Sequence, residues 1–208
     1  MELDAAVLDA GERVFGLSLR RCDASWAALS PGKRRELAGR GADSGLPVVH
    51  SDAEEYVRLL PAGTLDCILL DAYDGRGKVP EHIRAAPFVR ALGEALAPGA
   101  VVLANLWHGT AEARAEADRF ACLLARSVSG LRVFSLRVAG QAKHRILLAV
   151  KADAAAAAGG GSEAALGAAL KQRLQRGAEA LAPAVREESA LAATMRSNLA
   201  TFQAWRAE

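Results

Sequence analysis

Carboxylates mark three places in the chain where chemistry could be done. Glu2 and Asp4 open it in ELDAAVL, Asp52 follows PVVH, and Asp71 and Asp74 follow the apolar run LDCILL. A carboxylate at the end of a strand can accept hydrogen bonds from sugar hydroxyls or from an exocyclic amine. It can also bind an amine nucleophile and take its proton, without which the amine stays unreactive. Each acid has a plainer use as well. Glu2 and Asp4 favour a helix N-terminus by roughly 0.3–1 kcal/mol, Asp52 suits an N-cap, and Asp74 followed by Gly75 is a common turn pair.

The elements around these acids decide whether they can meet. Residues 5–15 carry apolar side chains at helical spacing, with Asp4 to cap the start and Gly16 to end it. Residues 18–46 turn irregular, rich in Gly, Pro and Arg, with a short helix expected over 31–37. A short strand follows at 47–50, then a capped helix in SDAEEYVRLLPAG. The continuous apolar run 65–70 suits a central strand buried on both faces. A helix over 88–96, a strand over 101–107 and a helix over 111–128 come next, then strands near 131–138 and 144–151 close enough to form a hairpin. Alternation of this kind predicts a mainly parallel sheet with helices on both faces and an antiparallel last strand. In such a sheet the strand ends of one polarity share a rim, where ligands bind, so the three acidic points become neighbours. Residues 152–162, ADAAAAAGGGS, read as a low-complexity linker. Residues 163–208 read as a helical extension interrupted by Pro183, free to pack on the sheet or against a second copy in a homodimer.

Composition narrows the classes. The 208 residues are 51% hydrophobic and 24% charged, a globular balance, and aromatics at 5% leave Ala, Leu and Val to build the core. A net charge of +2 gives no bulk field for nucleic acid or membrane surfaces. The basic pairs at 20–21 and 33–35 lack interleaved aromatics and read as solvated loop. Cys22, Cys67 and Cys122 form no C-x-x-C, and His50, His82, His108 and His144 show no ligand spacing, so no metal is expected. His82 and His108 do follow strand ends, and Asn105 and Trp107 end a strand on the same rim. No run approaches the roughly 20 apolar residues of a membrane span. Without a signal or transit pattern the default compartment is the cytoplasm, unless a targeting peptide precedes Met1.

Four stretches in order, ELDAAVL, SDAEEYV, LDCILLDAYDG and LAPGAVVLANLW, resemble consecutive motifs of the spermidine synthase-like proteins. These are aminopropyltransferases built on the Rossmann-like class I S-adenosylmethionine-dependent methyltransferase fold. The resemblance covers residues 2–151, with 18–46 as an unmatched insertion. It implies a cofactor domain over 1–151 that uses decarboxylated S-adenosylmethionine or S-adenosylmethionine. It implies that Glu2 accepts from the ribose hydroxyls and that Asp52, with Ala53 beside it, reads the adenine amine. Asp71 matches the first acid of a D-x-x-D element, near the amino group of the methionine-derived portion or of the acceptor. Asp74 matches the second, which takes the proton of the attacking amine. Tyr73 sits between them, where the family often has Ser or Phe. The implied reaction moves an aminopropyl group to a polyamine. Methyl transfer to another small-molecule nucleophile and a non-catalytic scaffold are the alternatives. The resemblance also places a strand and a G-x-G-x-G-type loop just ahead of Glu2. The sequence has neither, so an N-terminally incomplete domain is expected. DAYDGRGKVPEHI departs from the family's DSSDP form and is closer to the D-x-F-x-G…P-x-H-[LI] form of less characterised relatives, which leaves the amine open.

Overall fold

Asp4 accepts the backbone N–H of Ala6 at 2.8 Å and starts helix α1, Ala5–Arg13. The chain leaves this helix through Gly16, whose φ of 65° lies in the left-handed region that side chains disfavour. Beyond it the computed structural model describes residues 17–30, 32–34, 45–74, 78–138, 140–152, 163–181 and 197–205. The segment expected to be irregular holds a strand, β1, Leu19–Cys22, and a 3-10 turn, Ala24–Ala28. Most of the helix expected over 31–37 falls outside the described residues, as do residues 153–162 of the linker and Pro183.

Strand β2, Leu46–Val49, pairs in parallel with β1. Glu2 bridges to His50, donating its N–H to the Val49 carbonyl at 3.0 Å, while the His50 N–H goes to Cys22 at 2.9 Å. Successive residues of a strand present their hydrogen-bonding groups to opposite edges, so Glu2 and β1 flank β2 on opposite sides. Helix α2, Ala53–Leu59, follows directly.

A second sheet has the order β3-β4-β6-β5-β7, from β3, Leu65–Leu70, β4, Leu96–Trp107, β5, Leu131–Val138, β6, Gln141–Lys151, and β7, Gln203–Ala204. β3 and β4 are parallel, and β6 runs antiparallel to both β4 and β5. Hence β3, β4 and β5 share one direction and the expected hairpin supplies the reversed strand. β7 adds two residues to the β5 edge, an element without a signal in the sequence pattern.

Helices α3, Ala86–Ala95, and α4, Ala111–Ser127, join α2 on one face. Phe88, Leu92, Phe120 and Leu124 are buried there against Val102, Ala104 and Leu147. Lys151 donates from Nζ to the carbonyls of Gly93 (2.8 Å) and Leu96 (2.7 Å), satisfying acceptors at the end of α3. On the other face α5, Glu163–Leu181, packs Leu170 on Phe134 and Leu148, and Phe202 stacks on Phe134 at 5.1 Å. β3 departs from expectation. Ile68 and Leu70 face the core, but Asp66, Cys67 and Leu69 are exposed, Leu69 by 70%. α2 and α3 cover one face of this edge strand, and among the described residues nothing covers Leu69 on the other.

Candidate functional site

The carboxyl ends of β2 and β3 open onto a cavity of about 270 Å³. Glu2, Asp52, Ala53, Asp71 and Tyr73 all line it, brought together from three separate segments. The position of each follows from local structure. Glu2 Oε1 accepts the N–H groups of Leu3 (2.8 Å) and Asp4 (2.9 Å), which fixes its carboxylate beside the β2 edge. His50 Nε2 lies 3.0 Å from the Leu3 carbonyl and ties the same turn to the end of β2. Asp52 has two tasks. Its Oδ1 accepts from Glu54 N (2.7 Å) and Glu55 N (3.3 Å), capping α2, and its Oδ2 lies 2.9 Å from His82 Nε2. His82, in the 3-10 turn His82–Arg84, forms part of the same cavity wall.

Asp71 is held from the sheet. Asn105, near the end of β4, donates from Nδ2 to Asp71 Oδ1 at 3.1 Å, and its Oδ1 lies 3.2 Å from His144 Nδ1 on β6. The Tyr73 hydroxyl donates to the Asn105 carbonyl at 2.8 Å. Burial, and secondarily the Asp71 charge, push the Tyr73 hydroxyl above its ordinary value of 10.0, so it stays a donor at neutral pH. Trp107 meets the His144 ring edge-on at 5.4 Å.

Asp74 stands apart from this cavity. Its Oδ1 accepts the Lys78 N–H at 2.9 Å and its own N–H donates to the Lys78 carbonyl at 2.7 Å. Lys78 Nζ in turn pairs with Glu112 Oε1 at 2.8 Å, and this pairing raises the lysine's pKa and lowers the glutamate's. The structure thus gathers Glu2, Asp52, Ala53, Asp71 and Tyr73 and leaves Asp74 outside, bonded to Lys78. His144 escapes sequence reasoning because only the β4–β6 register, Trp107 opposite His144, brings it to Asn105. Among the described residues no three His, Cys, Asp or Glu side chains gather as metal ligands. Nor is any helix there long and apolar enough to cross a membrane.

A same-direction β3-β4-β5 core, a reversed β6 inserted before its edge, helices on both faces and a cavity at the carboxyl ends define a Rossmann-like α/β fold of the class I methyltransferase type. No family model matches the chain, and no curated protein matches its sequence. Among solved structures it is similar to a spermidine synthase in complex with the transition-state analogue AdoDATO, at 16% identity and a TM-score of 0.49, over 72% of this chain and 45% of that one. It is also similar to the spermidine synthase from Thermotoga maritima, at 15% identity and a TM-score of 0.44, over 72% and 44%. A probable spermidine synthase from Corynebacterium glutamicum is similar at 17% identity and a TM-score of 0.41, over 71% and 60%. The chain spans less than half the length of the first two.

Proposed function

We propose that this chain carries the adenosyl-binding part of a spermidine synthase-like transferase that moves an aminopropyl group from decarboxylated S-adenosylmethionine to a polyamine. The observation that carries the reading is the convergence of Glu2, Asp52 and Asp71 on one cavity at the carboxyl ends of β2 and β3. Acceptor-only side chains suit an adenosyl group, which offers donors at its ribose hydroxyls and its amino group. Glu2, held by two backbone N–H groups, would accept from the ribose. Asp52, oriented by its cap bonds, would accept from the adenine amine, with Ala53 against the ring. When bound, the sulfonium cofactor supplies an electrophilic carbon and a good leaving group. What remains for the protein is alignment and a place for a proton. Asp71, fixed by Asn105, would hold an ammonium, and Asp74 would take the proton that the acceptor amine sheds.

A second reading, methyl transfer from S-adenosylmethionine, is favoured by one observation: Asp74 is hydrogen-bonded to Lys78 and lies outside the acidic cavity. Methyl transfer would use the adenosyl cradle without Asp74. Turnover of decarboxylated cofactor with putrescine by wild type and Asp74→Asn separates the two. Aminopropyl transfer predicts a loss of about 10²–10⁴-fold in Asp74→Asn with cofactor binding retained. Unchanged turnover in the variant refutes the proton-acceptor role.

A further inference from the structure

A second cavity, of about 490 Å³, lies between the β4–α4 turn and the β5–β6 hairpin, with a wall unlike that of the acidic one. Arg114, Arg137, Arg145, His108 and His144 line it, together with the hairpin turn at Gly140, and no acidic residue is among the described residues of its wall. The net charge of the whole chain is only +2, so this concentration of cationic groups is local.

The cations are built into the fold. Arg145 is 2% exposed. Its guanidinium stacks over Trp205 at 4.1 Å, donates to Ser135 Oγ at 3.2 Å and approaches His108 Nε2 at 3.4 Å. Burying a guanidinium is costly, and that cost is met only where its geometry is held by partners such as these. Arg137 is the register partner of Arg145 across β5 and β6. Residues directly opposite in an antiparallel pair project from the same face, so both arginine side chains rise on one side of the sheet. Asp118, one turn along α4 from Arg114, is buried and accepts the Trp205 Nε1 hydrogen bond at 2.8 Å, and it is not part of the wall. The His108 N–H donates to the Lys143 carbonyl at 2.7 Å, which ties the two sides of the cavity together.

We infer that this cavity is a binding site for the phosphate or carboxylate group of a small anionic molecule, held by Arg114 and Arg137 at its mouth and by the buried Arg145 within. The inference does not depend on the adenosyl reading. His144 lines this cavity and contacts Asn105, which holds Asp71. An anion bound here therefore lies one side chain from the network behind the acidic cavity.

The test is the shift in thermal midpoint of the full chain on titration with inorganic phosphate, and separately with citrate, sodium chloride holding ionic strength constant. Wild type is expected to show a saturable rise with at least one of the two. Arg114→Gln/Arg137→Gln should need at least tenfold more of that anion, and Arg137→Gln alone should show a smaller loss in the same direction. Arg132→Gln removes the same charge from the far end of β5, about 16 Å away at roughly 3.3 Å per residue, and should match wild type. Circular dichroism confirms that each variant is folded; should the double variant not fold, Arg137→Gln decides alone. The inference is overturned by any of three results: no response to either anion beyond that to chloride, wild-type response in the arginine variants, or an equal loss in Arg132→Gln.

Discussion

Replacing Asp52 by Ala and by Asn should give different losses, because the structure divides its carboxylate between two jobs. Oδ1 caps α2 through one short bond to Glu54 N, at 2.7 Å, and one long bond to Glu55 N, at 3.3 Å. A cap of this kind contributes about 1 kcal/mol. Oδ2 pairs with His82 at 2.9 Å, with side chains 43% and 32% exposed, so solvent screening leaves that pair at well under about 1 kcal/mol. Asp52→Ala loses both, roughly 1.5 kcal/mol, which is about 3–6 °C in thermal midpoint for a chain of this size. Asn caps about as well as Asp, so Asp52→Asn loses only the pair and should fall by less than about 2 °C. Differential scanning calorimetry of both variants and of His82→Ala reads this directly, and His82→Ala should track Asp52→Asn. Equal losses in the Ala and Asn variants would refute the division of labour, because the cap would then not be the larger contribution.

Two further outcomes follow from neighbouring contacts. The raised Tyr73 value means that the folded protein keeps this proton where an unfolded chain has released it. Its stabilising contribution is therefore full below pH 10 and is lost as pH rises past the folded value. Absorbance titration at 295 nm should show a phase with a midpoint above 10 that Tyr73→Phe removes, and a lost phase at or below 10 would contradict the assignment. A Cβ at Gly109 would lie 2.5 Å from Trp107 Cζ2, so Gly109→Ala must displace the indole from His144. The expected cost is about 1–3 kcal/mol with a changed tryptophan emission spectrum, and unchanged emission would show that the ring is not held there.

The acidic cavity was legible from the sequence because two simple rules combine there. Apolar runs mark strands, and strands alternating with helices put their carboxyl ends on one rim, so acids placed just after the runs must meet. Asp52 and Asp71 do come together, although among the described residues β2 and β3 belong to separate hydrogen-bonded sheets, and Glu2 joins them by its bridge to His50. What the rules miss depends on partners remote in sequence. LRRC at β1 has no strong strand pattern, yet it pairs with β2 once that edge exists. The run LDCILL carries apolar side chains to both faces, but burial depends on what lies beside the strand, and Leu69 meets no cover among the described residues. Asn105 and His144 meet diagonally across β4 and β6, a contact set by the register, which hairpin spacing alone does not fix. Asp74, which the family resemblance casts as the proton acceptor, accepts the Lys78 N–H, a contact the D-x-x-D spacing does not announce.

The most direct measurement is calorimetric binding of 5′-methylthioadenosine, which presents the adenosyl donors shared by aminopropyl and methyl transfer, to wild type, Glu2→Ala and Asp52→Asn. The acidic-cavity account predicts saturable binding to wild type and at least a tenfold weaker Kd in Glu2→Ala, with Asp52→Asn also weakened while its fold is retained. Equal affinity in all three proteins, or no binding to wild type, would contradict it.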